Sequence, residues 1–305
     1  DDLSITLVSD SQLEEIVLTG YGSQRREELT SAISTIKSED FNGGNINDPQ
    51  QLLQGKVAGL NIARVGSDPN QPFNIRLRGL STFGANAEPL VIIDGVIGGT
   101  LDSVDPADIE SINVLKDASA GAIFGSRGSS GVIIVTTKTG KGVAKSGLEY
   151  RGYVSSEEIS NLIPMASYDE FLSYGGLNLG SKTDWVDLVS RTAISQVHNI
   201  AFTGSSTNGL SYRASLNYRD VEGVLNTSGF EQINGRINVT QKLLEDRLKI
   251  QANVGVTRRE ANLGWTESLN YALIYNPTAP VYNPDGTFFE NQVERNYNPV
   301  ALNEQ

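Results

Sequence analysis

The sequence predicts a compact α+β domain in its first half, followed by a run of antiparallel β-strands. Three observations carry that reading. Between Phe73 and Lys138, four short β-type runs (Asn74–Arg78, Leu90–Ile93, Ile109–Leu115 and Val132–Thr137) are separated by glycine-rich turns, with a small-residue helical turn near Ala118–Phe124. Beyond Lys145, segments of about ten residues alternate apolar with polar side chains. The connections between those segments are short and long in turn.

Composition removes several classes of function. The chain has 305 residues, no cysteine, one histidine, thirty-one glycines and a formal charge of -12. Without cysteine there is no disulfide framework, thiolate metal site or cysteine nucleophile. His198 has no second imidazole with which to hold a metal, so no metal, cofactor or catalytic residue is assigned. The acidic balance lacks the clustered cationic face that a phosphate backbone requires, which argues against nucleic acid as a partner. No apolar run approaches the roughly 20 residues of a transmembrane helix, and the start carries no basic-then-apolar leader. Neither absence bears on a membrane β-barrel, whose strands are only about ten residues long.

Taken in order, Asp1–Ser9 alternates but has no partner strand, and Asp1 reads as a truncation or processing point. Leu13–Gly22 (LEEIVLTGYG) places Glu14 and Glu15 before the β-favouring Ile16, Val17, Leu18 and Thr19. Such an extended segment can add to the sheet edge of a partner; an edge strand of the following domain is the plainer alternative. Arg25–Thr35 is a polar lead-in or strand. In DPQQLL, Asp48 caps and Pro49 enters a short helix, Pro49–Gln54, that stops at Gly55. A strand follows within GKVAGLNIAR. Arg76 and Arg78 lie two apart on a strand and so share a face, either as solvated arginines or as contacts. The stretch Ser81, Thr82, Phe83, Gly84, Ala85 and Asn86 reads as a contact loop or a plain turn. Asp102–Glu110 is acidic but lacks the spacing of a calcium loop, and reads as a turn into a strand. Gly121–Gly131 precedes a strand, the wrong order for a dinucleotide site, and GKGVAKS (residues 140–146) has alanine where a phosphate loop needs glycine.

The alternating half contains five segments: Leu148–Ser155, Asn199–Gly204, Ser211–Arg219, Gly235–Thr240 and Leu248–Thr257. In SYRASLNYR, Tyr212, Ala214, Leu216 and Tyr218 face one side, while Arg213, Ser215, Asn217 and Arg219 face the other. A membrane barrel would turn the apolar set to lipid; a soluble sandwich would bury it. Connections near Ser205–Gly209 and Lys242–Arg247 are short, whereas Glu157–Gln196 and the chain from Ala261 onward are long. That asymmetry favours an outer-membrane barrel, although the connection Asp220–Gly229 is modest.

Three runs then follow in order: Ile75-Arg-Leu-Arg-Gly79, Pro89-Leu-Val-Ile-Ile-Asp-Gly-Val96, and Lys116-Asp-Ala-Ser-Ala through Phe124-Gly-Ser-Arg-Gly to Val132-Ile-Ile-Val-Thr-Thr-Lys138. With TDW, SQVHNIAFTG and DVEGV…SGF further on, they resemble the SusC/RagA branch of TonB-dependent outer-membrane transporters of Bacteroidota. The resemblance implies an α+β plug domain followed by the first strands of an antiparallel transmembrane β-barrel of twenty-two strands. Residues 1–12 would end a small preceding β-sandwich domain or linker, 13–22 would hold the TonB box, 23–142 the plug, and 146–305 the first part of the barrel with long extracellular loops. The final Asn303-Glu-Gln305 would then be a break within an extracellular loop.

The implied function is energised import of oligosaccharides or peptides across the outer membrane, with the plug gating the barrel and a SusD-like surface lipoprotein capturing substrate. By the same resemblance, Glu14–Thr19 would bind the periplasmic C-terminal domain of TonB. Arg76, Arg78 and Arg127 would seat the plug against the barrel, and Ser81–Asn86 would face substrate. The long connection with Tyr168, Phe171, Tyr174 and Trp185 would help to form the mouth, its aromatics packing between loops or lining an interfacial girdle. Outer-membrane lipid would surround the wall. Two other classes stand beside this: a soluble or surface β-rich glycan-binding protein, and a glycan hydrolase, which needs two carboxylates about 5 to 9.5 Å apart. Detergent partitioning separates the first from a membrane barrel, and a hydrolysis assay separates the second. Detergent dependence of the full-length protein and no hydrolysis are expected.

Overall fold

The structure is a computed structural model that describes residues 16–19, 22–25, 33–44, 46, 48–64, 66, 68–77, 88–116, 124–143, 145–161, 163–245, 247–265, 267–290 and 297–304. It divides into two compact units, one made of Asp1–Gly43, Asp48–Ile62 and Asn74–Lys138, the other of Gly44–Asn47, Ala63–Phe73 and Thr139–Gln305.

Strands in the first half are short. β1 (Ile16–Thr19) and β2 (Gly22–Arg25) form an antiparallel sheet of their own. β3 (Ile33–Lys37) is followed by a 3₁₀ turn at Pro49–Leu53, and β4 (Leu60–Arg64) pairs with β5 (Phe73–Leu77). β6 (Leu90–Ile93), β7 (Val96–Ile97), β8 (Ile109–Leu115) and β9 (Val132–Thr137) join β3 in one mixed sheet of order β3-β8-β9-β6-β7. Only β6 and β9 run parallel among the registered pairs of that sheet. Its interior strands β8 and β9 are deeply buried: Ile112, Val114, Leu115, Val132, Ile133 and Val135 are fully buried, as near-continuous β-branched runs predict for strands covered on both faces.

The short motifs in this unit are joints between its elements. The β6–β7 turn is Asp94-Gly95, both with positive φ (49° and 88°), the backbone that a two-residue hairpin of the right twist demands. From that turn, the Asp94 carboxylate accepts bonds from the Thr137 amide (2.8 Å) and hydroxyl (2.7 Å) at the end of β9. The neighbouring Lys138 ammonium donates to the carbonyl of Ala107 (2.7 Å), inside the 3₁₀ turn that Asp105 caps. In the Pro49–Leu53 turn, Asp48 accepts from the Gln50 amide while the Gln51 side chain accepts from the Asp48 amide. This is a reciprocal cap, one residue shorter than the expected helix. Gly55 beyond it takes φ +76. The acidic stretch from Asp102 is, as expected, a pair of 3₁₀ turns that lead into β8. The expected strand from Asn74 is observed one residue earlier, and the end of the polar lead-in lies in the strand Ile33–Lys37.

Five long strands dominate the second unit. β10 (Gly147–Glu157), β11 (Ala193–Ser205), β12 (Leu210–Glu222), β13 (Gly229–Leu243) and β14 (Leu248–Asn262) pair antiparallel, each with the next. All five expected strands are present, and all are longer than the sequence indicated. β11 begins at Ala193, earlier than expected, and its inner face there carries Ala193, Ser195 and Val197, which blurs the polar half of the alternation. Short connections are residues 206–209 and 244–247; long ones are 158–192 and the chain beyond 262. At Gly209 the φ of +79 and a Lys242 carbonyl 2.6 Å from where a Cβ would sit leave no room for a side chain.

The faces of this sheet are inverted relative to a water-soluble protein. Leu216 is 55% exposed, and Leu148, Val154, Ile200, Phe202, Ile237 and Val254 are exposed on the same side, whereas Arg213, Asn217, Arg219, Asn234 and Asn238 are buried on the other. Register lines up Tyr150, Ile200, Leu216, Gly235 and Val256 across all five strands as one apolar row. A sandwich would bury that row; a wall facing hydrocarbon exposes it. Introducing Leu216→Arg into the full-length protein is expected to destabilise it by ~2–4 kcal/mol in lipid vesicles, the cost of a cation at bilayer depth. Urea titration of the folded barrel would measure this, and an unchanged midpoint would contradict the assignment of faces.

Candidate functional site

Three arrangements in the structure are capable of function. They are the inner face of the wall, a group of loops at its long-connection end, and the isolated β1–β2 hairpin.

On the inner face, the cross-strand register brings polar side chains opposite one another. Asn199 stands against Asn217, Asn217 against Asn234, and Asn234 against Thr257. Asn199 donates to the Asn217 carbonyl oxygen, Gln232 donates to Asn234 (2.8 Å), and Asn234 donates to the Thr257 hydroxyl (2.9 Å). Buried amides are tolerable because each finds a partner. Arg213 donates to Thr203 (3.0 Å) and lies 3.9 Å from the Glu149 carboxylate, a cation held in a wet-type polar surface rather than in an apolar core.

Two short segments from early in the chain belong to this unit and are bound to it by hydrogen bonds from neutral side chains and from two arginines. Both the Tyr153 hydroxyl and the Arg219 guanidinium donate to the main-chain carbonyl of Ile46, each at 3.2 Å. The Asn70 amide donates to the carbonyls of Gly229 (3.0 Å) and Asn262 (2.8 Å), at the facing ends of β13 and β14. Its own oxygen accepts from Arg259 (3.2 Å). Asp68, buried, holds that turn, its carboxylate accepting from the Asn70 backbone N–H (2.9 Å). Sequence reading missed Asn70 and Ile46, since a backbone carbonyl has no sequence signature. The Ser67-Asp-Pro-Asn70 run has turn chemistry, which by itself names no partner.

The arginines singled out from the sequence present differently. Arg76 on β5 and Arg127 in the 3₁₀ turn Gly125–Gly128 are exposed and make no ion pair among the described residues. Arg78, Glu14, Glu15 and the stretch Ser81–Asn86 lie outside the described residues, as does nearly all of the helical turn expected near Ala118. Ile16–Thr19 is a strand, paired with β2 and separate from the larger sheet of its unit.

At the far end of the wall, the described residues of 163–192 and 263–304 fold together into a small cluster of loops. Trp185, 3% exposed, stacks edge-on against Tyr275 (4.7 Å) and donates its indole N–H to the carbonyl of Asn276 (2.9 Å). Thr183 donates to Ala279 (2.6 Å), and Asn276 and Thr278 both donate to Leu177 (3.0 and 2.8 Å). Thus TDW and the Asn276-Pro-Thr-Ala279 run stitch two distant connections into one body. Trp185 packs between loops, as the plainer expectation held, while Tyr174 is exposed. A cleft of about 810 Å³ opens beside this core, lined by Met165, Tyr168, Phe171, Lys182, Trp185 and Ile274 among others. The Lys182 ammonium sits 5.7 Å from the Tyr168 ring centre. Below the cluster, Arg191 fastens the β12–β13 connection, donating to the carbonyls of Gly223 (3.1 Å) and Ser228 (2.8 Å) and facing Glu222 at 3.3 Å. Hydrogen bonds from the backbone and hydroxyl of Ser167 hold the Glu170 carboxyl below its usual range. Because the folded state favours the ionised form, this cap is present above the ordinary carboxylate pKa and fades as pH falls through the lowered value. No group of acidic or histidine side chains that could hold a metal occurs among the described residues.

Comparison with known proteins agrees with this geometry. The TonB-dependent Receptor Plug Domain family matches residues 25–132. The chain is 35% identical to TonB-dependent receptor SusC of Bacteroides thetaiotaomicron over 94% of its own length and 30% of that protein. It is also 35% identical to TonB-dependent receptor P26 of Formosa agariphila, over 98% of this chain and 32% of that one. Among solved structures, the RagAB peptide importer in its open-open state superposes with a TM-score of 0.77 at 24% identity, covering 94% of this chain and 38% of the other. The chain therefore spans about a third of the length of these relatives.

If Asn70 fastens its turn to the wall, Asn70→Ala in the full-length protein removes two donors. The expected loss is about 1–3 kcal/mol of local stability, read as faster hydrogen exchange at residues 68–71. Unchanged exchange would show that the contact carries no load.

Proposed function

From the premise that this chain belongs to the SusC/RagA-like TonB-dependent receptors, an outer-membrane β-barrel family rather than enzymes, we propose that the whole protein actively imports oligosaccharides or peptides. The observation that carries the proposal is the wall with apolar side chains outward and amides and arginines inward, in the same chain as a plug-type domain. An inward polar surface suits a wet lumen. Contacts between that surface and segments of the plug sequence made through hydrogen bonds suit a seal that has to be opened, because each contributes only about 0.5–1.5 kcal/mol between neutral groups and about 1.5–3 kcal/mol where an arginine donates.

In this proposal the segment Glu14–Thr19 offers its backbone as a strand to periplasmic TonB, which supplies the energy. Arg76, Arg78 and Arg127 seat the plug within the remaining wall. Ser81–Asn86 faces the substrate, and a SusD-like lipoprotein meets the loop cluster around Trp185 to close over captured substrate. The RagAB importer, which moves peptides, supports peptides as a class of cargo. The apolar cleft beside Phe171 and Trp185 supports a role for the loops in contacts outside the barrel.

Val17→Pro in the full-length protein removes one backbone donor from the TonB strand. Cells carrying it should lose uptake of labelled oligosaccharides and peptides taken up by the wild type, with outer-membrane abundance and ligand binding retained. Unchanged uptake would mean that the strand is not the site of coupling.

A further inference from the structure

The β1–β2 hairpin carries an inference about how the coupling strand is kept before it is used. Opposed residues are Ile16 with Arg25, Val17 with Gln24, Leu18 with Ser23, and Thr19 with Gly22. Antiparallel pairs alternate between those that exchange both backbone bonds and those that exchange none. The pair closing a two-residue connection, here Thr19 with Gly22, is of the first kind. Val17 therefore also directs its N–H and C=O at β2, while Ile16 and Leu18 direct theirs away. One edge of β1 is already occupied.

The occupant is a poor strand. β2 reads Gly-Ser-Gln-Arg, with no β-branched or aromatic residue, whereas β1 reads Ile-Val-Leu-Thr. A polar, glycine-bearing strand specifies its register weakly, and a two-stranded sheet alone is marginal in water. The hairpin is also separate from the five-stranded sheet of its unit, and among the described residues no further strand reinforces it.

We infer that β2 is a placeholder for the partner: the edge strand of the TonB sheet displaces β2 from β1 instead of adding to an intact hairpin. This rests on the reading of Ile16–Thr19 as the TonB-binding strand. Exchange replaces one set of backbone bonds with another, so little is lost in making it. It also lengthens the tether. Ile16 and Arg25 lie opposite each other in the hairpin, and opening it lets the same segment extend to on the order of 30 Å. Tension then reaches the plug only after that length is drawn out.

The test uses the full-length protein in lipid nanodiscs and the purified periplasmic C-terminal domain of TonB as the probe. Leu18→Cys with Ser23→Cys places thiols at a pair that exchanges no backbone bonds, where Cα atoms about 4.5 Å apart fit a disulfide. The present chain has no cysteine to compete. Under oxidation, TonB binding should weaken at least tenfold, and reductant should restore it; either single-cysteine variant should bind equally in both conditions. Ile16→Cys with Arg25→Cys, the other pair of this kind, should behave in the same way. Binding that is undiminished with the hairpin fully cross-linked would overturn strand exchange. The two readings fail separately: if neither Val17→Pro nor Leu18→Pro, which remove donors from opposite edges of β1, weakens binding, the placement of the TonB strand falls, whereas loss with either proline and retention in the locked hairpin sinks exchange alone.

Discussion

The continuous backbone ladder from β10 to β14 is the constraint on which the second unit depends. A strand that faces hydrocarbon has no water for its amides and carbonyls, so every one needs a neighbouring strand. The registers run without a slip from Gly147 opposite Thr203 to Leu243 opposite Leu248. That regularity fixes which side chains share a face, because a shift of one residue would turn Leu216 inward and Asn217 toward lipid. The connections obey the same requirement. Gly209 and the left-handed pair Leu244 and Glu245 reverse the chain within a few residues at one end, leaving the bulky loops at the other.

Once apolar residues are spent on the outside, the inside has to be held by polar groups. The amides of Asn199, Asn217 and Asn234 do this across strands, and Arg219 and Asn70 do it for the segments around Ile46 and Asp68. Hydrogen bonds of this kind are directional and individually modest, so they define position without the tenacity of a packed apolar interface. The plug-type unit works oppositely. Its sheet is held by Ile112, Val114, Ile133 and Val135, and its motifs close corners: Asp94 to Thr137, Lys138 to Ala107.

Much of this was legible in the residues. Period-two alternation placed all five wall strands and, with loop lengths, the correct face toward lipid, because each strand had one uniform face. The Asp48-Pro49 cap was equally plain, since its chemistry is local. What escaped notice was non-local or backbone-borne: the contacts of Ile46 and Asn70, the start of β11 where Val197 interrupts the polar face, and the self-pairing of Ile16–Thr19 with a Gly-Ser-Gln-Arg strand that has no β signature. The motifs around Arg76 and Arg127 pointed to the family, yet their charges alone did not reveal a partner.

The loop cluster has an optical consequence. The chain has two tryptophans; Trp185 is enclosed by Tyr275 and Asn276, whereas Trp265 is 46% exposed. A collisional quencher such as iodide would extinguish the emission of Trp265 and spare that of Trp185. Nature has thus supplied two indoles in contrasting surroundings, one reporting on the surface beside β14 and the other on whether the loops remain knotted together.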